Sequence, residues 1–287
     1  MNRHAKGLAV VALLLAACGT TGGAATTVAG TTDTAPSETT IPPAEDVVLV
    51  VEDVGGFVPI EFALGRGPRY VLTGDGRLIF QGPMIEIFPQ PLWPNYQVRQ
   101  LTEDELDLVM DAVLVTGIDQ ITDEVDDNSA NVIADASTTV ITYYDHQGPH
   151  RFEVYALDIG EGQSEQVQRL AGLVRVLDGV ATADGEVSEL EPERVQVIAQ
   201  EAEQTGDEFD QVVDFPIDED PATWDDLDGQ QGIKCAAFEG QDAEALVAGF
   251  RDANQATLFE AGETTWRVYP RPLLPGEEPC EVQAFSG

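Results

Sequence analysis

Residues 70–80 read Tyr70-Val71-Leu72-Thr73-Gly74-Asp75-Gly76-Arg77-Leu78-Ile79-Phe80, two apolar runs joined by a short turn. The Asp-Gly pair supplies the positive φ angles that a tight hairpin turn needs. A second hairpin is predicted between Ser137–Tyr144 and Arg151–Leu157, which are rich in β-branched and aromatic residues. A buried strand at Val47–Val51 precedes both. The sequence therefore predicts an antiparallel sheet.

Two amphipathic helices separate and follow these strands. The first opens at Thr102 with Glu105 three residues later, the pattern of a capping box, and Gly117 ends it. The second starts near Ser164, with its apolar residues at helical spacing. We expect an α+β domain over residues 46–185, an antiparallel sheet with helices on one face.

Residues 186–287 predict a smaller α+β subdomain. A helix is expected from Glu191, with Val195, Ile198 and Ala199 as its apolar stripe. A strand at Ile233–Phe238, a helix capped by Asp242 and a hairpin over residues 257–269 follow.

Two cysteines of this subdomain, Cys235 and Cys280, are expected to form one disulfide in an oxidising compartment. The alternative is a catalytic thiol, which needs a nearby base. No histidine follows His150, so the sequence favours the disulfide.

The N-terminus predicts export and lipidation. Arg3 and Lys6 precede an apolar run of about ten residues, too short to span a bilayer. Leu15-Ala16-Ala17-Cys18 fits a lipobox, so residues 1–17 are expected to be removed and Cys18 to carry diacylglycerol. A plain signal peptide with a chance cysteine is the alternative. The expected location is the extracytoplasmic face of the cell membrane.

Residues 18–45 predict a disordered tether after the lipidated cysteine. The segment is made of Thr, Gly, Ala, Ser and Pro, with almost no large apolar side chain. Such a composition cannot bury enough surface to offset the entropy of ordering the chain.

The charge excludes one class of partner. The chain has 52 acidic and 14 basic residues, a formal net charge of −38. Phosphate backbones would be repelled, so nucleic-acid binding is not expected. Three explanations of the acidity are open: a solvated surface of the kind suited to a saline habitat, cation binding, and a basic protein partner.

Two stretches resemble known secreted proteins. Residues 54–157, with Gly55-Gly56-Phe57, Gly74-Asp75-Gly76, Leu101-Thr102-Glu103 and Ser137-Thr138-Thr139-Val140, resemble an uncharacterised extracellular domain of bacterial lipoproteins. The tail from Cys235 through Arg271-Pro272-Leu273-Leu274-Pro275 to Cys280 is similar to the ends of hypothetical actinobacterial secreted proteins. The resemblance implies a surface-exposed lipoprotein and supplies no activity.

Metal-binding patterns are weak. Asp123, Asp126 and Asp127 offer hard oxygen ligands for calcium but lack the order of an EF-hand loop, so solvated acidic loops are favoured. His146 and His150 beside Asp145 could hold a metal across a hairpin, although a polar exposed turn is the favoured explanation. No cofactor is expected.

A proline-rich loop carries the aromatic residues Phe88, Trp93 and Tyr96. Aromatic side chains on an exposed loop can form a binding surface. Alternatively, they fold back over the edge of the sheet.

The function predicted from these patterns is a lipid-anchored, non-enzymatic binding or scaffold protein of the cell envelope, with an envelope protein as its candidate partner. No Gly-x-Ser-x-Gly elbow or phosphate-binding glycine loop is present. The alternative is an extracellular or cell-wall hydrolase that uses carboxylates. Its expected signature is a cleft in which two acids face each other and one has a raised pKa.

Overall fold

The computed structural model describes residues 47–57, 63–85, 87–120, 123–126, 135–159, 163–203, 211–227 and 230–281. The predicted signal, Cys18 and the tether lie outside these residues. In the described ranges, none of the helices has the length and apolar character needed to cross a membrane.

The fold is α+β, as the sequence predicts, and its first sheet has eight strands in the order β5-β7-β6-β1-β2-β3-β4-β8. Neighbouring strands are antiparallel except for β5 and β7. The strands are β1 (Val47–Val54), β2 (Tyr70–Thr73), β3 (Arg77–Gln81), β4 (Tyr96–Gln100), β5 (Asp123–Asp126), β6 (Thr138–Asp145), β7 (Gly148–Tyr155) and β8 (Ser188–Glu189).

Both predicted hairpins are confirmed. The turn between β2 and β3 has Gly76 at φ 80°, a left-handed conformation that glycine adopts without steric cost. The Asp75 carboxylate accepts from the Arg77 backbone N–H at 3.3 Å and from its Nε at 2.9 Å. The turn is therefore fixed by its own residues.

Two helices cover one face of this sheet, α1 (Glu103–Thr116) and α2 (Glu165–Ala181). The capping box of α1 is confirmed, because the Thr102 side chain accepts from the Glu105 N–H and the Glu105 carboxylate accepts from the Thr102 N–H. The core between helices and sheet contains the buried side chains of Leu49, Val51, Leu72, Ile141, Phe152, Val109, Val113, Leu170 and Leu177.

A second sheet of six strands follows, in the order β10-β13-β14-β9-β12-β11. Its strands are β9 (Arg194–Glu201), β10 (Gln211–Asp214), β11 (Asp225–Asp226), β12 (Ile233–Glu239), β13 (Thr257–Ala261) and β14 (Thr264–Pro272). Helix α3 (Gly240–Arg251) packs on it through an aromatic core that includes Phe215, Phe250 and Phe259.

The helix predicted from Glu191 is wrong, since Arg194–Glu201 is strand β9. Val195, Ile198 and Ala199 are all fully buried because β9 lies between β14 and β12 and is covered on both faces. A strand buried on both faces loses its alternation, so its apolar residues can match helical spacing by chance.

The two sheets belong to one compact unit. The loop after β3 reaches the second sheet, where the Leu92 N–H donates to the Ala253 carbonyl at 3.1 Å and the Trp93 ring enters the aromatic core. The division at residues 185 and 186 stays a prediction, since β8 still pairs with β4 of the first sheet.

The predicted disulfide between Cys235 and Cys280 is confirmed, with 5.8 Å between the Cα atoms. It ties β12 to the segment that follows β14, residues 273–281, which we call the C-terminal strap. The strap also bonds to β9, because the Cys280 N–H donates to the buried Gln196 Oε1 at 2.7 Å.

Candidate functional site

The face of the first sheet opposite its helices is only partly covered. Leu274 of the strap packs against Val71, Ile79 and Tyr96 on this face. Beyond the strap, strands β1, β6 and β7 leave a cleft of about 540 Å³, within the size range of small-molecule sites. We call it the strap cleft; its polar lining includes Glu52, Arg66, Tyr144, Arg151, Arg271 and Glu277.

The pairing of strands β1, β6 and β7 determines which side chains form the floor of the strap cleft. Val50 pairs with Thr142, and Thr142 pairs with Arg151, so these side chains share one face. Glu52 lies two residues beyond Val50 and therefore points to the same side. The strap supplies the opposite wall through Pro275, Gly276 and Glu277.

The best-buried charge in the strap cleft is Arg271, on β14, whose residue is 3 % exposed. Its Nη1 donates to both carboxylate oxygens of Glu277, at 2.7 and 2.8 Å. Among the described residues, its buried Nε has no hydrogen-bond partner. A buried donor without a partner costs free energy, so this guanidinium has unused hydrogen-bonding capacity at the wall of the strap cleft.

Glu277 holds Arg271 in place. Its carboxylate also accepts from the Leu274 N–H at 2.7 Å, and its own N–H donates to the Leu274 carbonyl at 3.2 Å. Gly276 completes this turn at φ 83°, a left-handed backbone that an L side chain would strain. The sequence Leu274-Pro275-Gly276-Glu277 thus builds a clamp on the guanidinium.

Arg66 provides a second guanidinium at the strap cleft. It is half-buried and donates to the Asp53 backbone carbonyl at 3.2 Å. Most arginines of the described ranges form ion pairs, as Arg151 does with Glu153 at 2.9 Å, but Arg66 forms none there. Its charge is therefore open to the strap cleft.

Glu52 is a partly buried acid of the strap cleft. Burial raises its pKa, and the negative charge of Glu277 raises it further, against the opposing charges of Arg151 and Arg271. Within the described ranges its carboxyl has no hydrogen-bond partner. The pKa of Tyr144 is also raised, by burial and by the charge of Glu52, which places the phenol near this carboxyl.

Replacing Glu52 by glutamine is expected to stabilise the fold at neutral pH. The pKa of Glu52 is raised in the folded state, so folding favours the protonated carboxyl. Its favourable contribution to stability is therefore complete below the ordinary pKa of 4.5 and is lost as the pH rises through the folded pKa. At pH 7 the carboxylate is charged, and the neutral glutamine avoids that cost. Thermal unfolding should give a higher Tm for Glu52→Gln at pH 7 and no difference at pH 4. The matched control is Glu281→Gln, an exposed acid of the same cleft. A lower Tm for Glu52→Gln at pH 7 would contradict this reading.

A second, more open groove adjoins the strap cleft and shares Arg66 with it. Apart from Arg66, its central charges pair with each other. Arg69 pairs with Asp178 at 2.8 Å, and the Tyr70 hydroxyl donates to the same carboxylate. Burial, followed by this bond, raises the pKa of Tyr70 to about 12. These groups hold α2 to the sheet.

The aromatic residues of the proline-rich loop have different surroundings. Trp93 and Tyr96 are buried, and the Tyr96 hydroxyl donates to the Pro68 carbonyl at 2.9 Å. Phe88 is 76 % exposed, beside the exposed Met84 and Ile87. Trp93 and Tyr96 therefore serve the fold, and only Phe88 of the three presents its ring to solvent.

The weak metal candidates are not brought together in the described residues, where no group of three suitable ligands occurs. Asp123 and Asp126 lie on β5, and Asp127 is outside the described residues. His150 is buried with its Nε2 3.0 Å from Asp145, whereas His146 is largely exposed on the turn. The calcium site stays a prediction.

Sequence reasoning missed the strap cleft, because its charged residues come from distant parts of the chain. One signal was present: Glu52 continues the strand Val47–Val51 on the same face as Val50. No protein-family model matches the chain, and comparison with curated proteins and with solved structures finds no similar protein.

Proposed function

We propose that this protein is a lipid-anchored extracytoplasmic binding protein whose ligand site is the strap cleft. Leu15-Ala16-Ala17-Cys18 and the Thr-rich segment after it support the anchor. The disulfide supports an oxidising compartment.

The observation that carries the binding site is the open donor capacity of Arg271 and Arg66. In a chain of net charge −38, acidic residues far outnumber arginines, so most guanidinium groups are expected to pair with a carboxylate. Among the described residues, the buried Arg271 Nε nevertheless has no hydrogen-bond partner, and Arg66 forms no ion pair. Both line the strap cleft, so a bound ligand would satisfy them.

The alternative, a carboxylate hydrolase, is favoured by one observation. Glu52 and Glu277 line the same cleft, and their interaction contributes to the raised pKa of Glu52. However, the oxygens of Glu277 already accept from Arg271 and from the Leu274 N–H. This occupancy makes Glu277 a structural clamp and a poor nucleophile or base, so binding is the better proposal.

Cell fractionation tests the anchor. The full chain is expected in the membrane fraction and in detergent extracts, whereas Cys18→Ser should leave that fraction or retain its signal segment. Equal partition of both forms, with the signal segment removed from Cys18→Ser, would contradict lipidation.

Native mass spectrometry tests the site. The full chain in detergent is incubated with the low-molecular-weight fraction of an envelope extract, and the mass of retained small molecules is recorded. Arg66→Gln should lower retention at least about tenfold, since a charged hydrogen bond contributes about 1.5–3 kcal/mol. The control is Arg267→Gln, which removes an arginine outside the strap cleft. No retained molecule, or equal loss in both variants, would overturn the site; turnover abolished by Glu52→Gln would favour the hydrolase.

A further inference from the structure

We infer that the strap cleft binds a zwitterionic ligand, a free amino acid or short peptide, with its carboxylate at Arg271 and Arg66 and its ammonium at Glu52. This inference rests on the proposed function and names the ligand class of the same site.

The anionic half of the ligand follows from the two guanidinium groups. Arginine donors match carboxylate geometry and bind it through charge-assisted hydrogen bonds. Arg271 is held by Glu277 through Nη1, and its side chain lines the strap cleft. Arg66 approaches from the loop before β2. The site is thus fixed before the ligand arrives, which lowers the entropy cost of binding.

The cationic half follows from Glu52 and Tyr144. Glu52 is a carboxyl with no hydrogen-bond partner in the described ranges, and an ammonium would supply one. The Tyr144 ring is 38 % exposed at the same cleft, and an aromatic face attracts a cation. The charged groups that act on Glu52 are Glu277, Arg151 and Arg271, and Arg151 is already paired with Glu153.

The net charge excludes the simpler ligands. Three arginines and five acids line the strap cleft, on a body of net charge −38. A plain anion would be repelled by that field before it reached the guanidinium groups. A plain cation would leave the Arg271 Nε unpaired. A zwitterion carries no net charge, so it avoids long-range repulsion and satisfies both sets of groups.

Isothermal titration with matched probes tests this inference. The full chain in detergent is titrated at pH 7 with the tripeptide Ala-Ala-Ala, with its N-acetyl form and with its C-terminal amide, and then with the twenty free amino acids. At least one free zwitterion should bind, and blocking either end should weaken binding at least about tenfold.

Variants assign each end. Glu52→Gln should weaken the free probe about as much as N-acetylation does, with no further loss for the acetylated probe. Arg66→Gln should weaken binding of the free probe about as much as C-terminal amidation does, with no further loss for the amide probe. Arg267→Gln should leave the affinity for every probe unchanged. Binding of the free probe should also weaken as pH falls and Glu52 is protonated.

Three results would overturn the inference. The first is equal affinity for the free and the blocked probes. The second is an affinity that neither Glu52→Gln nor Arg66→Gln changes. The third is that no probe binds. If no probe binds but a small molecule is still retained in an Arg66-dependent way, the binding function stands and only the zwitterion is wrong.

Discussion

Replacing Glu277 by alanine should destabilise the protein by about 3–5 kcal/mol, the cost of leaving a buried charge without its partner. Arg271 is 3 % exposed and Glu277 supplies its only ion pair among the described residues. The same substitution removes the acceptor of the Leu274 N–H, which opens the turn of the strap. Urea denaturation followed by circular dichroism would measure the loss.

A double variant separates the cost of the unpaired charge from the cost of lost packing. Arg271→Met together with Glu277→Ala removes both charges, so it should recover much of the stability that Glu277→Ala loses. Ligand binding should stay lost in the double variant, since the open donor is gone. A cost below about 1 kcal/mol for Glu277→Ala would show that the clamp is not a structural element.

Removing the disulfide should cost about 4 kcal/mol. Cys235 and Cys280 are 45 residues apart, and a crosslink of that span restricts the unfolded chain by about this amount. The comparison is the full chain against Cys235→Ala/Cys280→Ala, with Cys18→Ser as the control that leaves the crosslink intact. Unfolding curves that coincide would contradict the prediction.

The disulfide should also matter for the site. Cys280 lies three residues after Glu277, and the strap is further held by Gln196 at Cys280 and by Arg194, whose Nη2 donates to the Glu277 carbonyl at 3.0 Å. Loss of the crosslink is therefore expected to weaken ligand binding at temperatures where the rest of the fold persists. Unchanged affinity in Cys235→Ala/Cys280→Ala would show that these hydrogen bonds are sufficient to hold the strap in place.

Local signals predicted the elements whose chemistry is local. The capping box at Thr102 and the turn at Asp75-Gly76 are confirmed because neighbouring residues satisfy their hydrogen bonds. Strand β9 was predicted as a helix, since its burial on both faces comes from strands β12 and β14, far away in sequence. The hydrophobic periodicity of one segment carries no information on strands that are distant in sequence.

The strap cleft could not be predicted for a similar reason. Glu52 stands on the first sheet, Arg271 on the second and Glu277 on the strap, and the fold alone brings them together. Among the acidic residues that the structure describes, Glu52 is distinguished by its raised pKa and not by any motif. The aromatic loop was the more visible feature of the sequence, yet Trp93 and Tyr96 serve the core.

A crystal structure of the protein with Ala-Ala-Ala, or with a free amino acid that binds, tests the central claim most directly. We predict the ligand carboxylate within hydrogen-bond distance of the Arg271 guanidinium and of Arg66, and the ammonium against Glu52. A ligand bound elsewhere, or a strap cleft that stays empty at saturating ligand, would contradict the account.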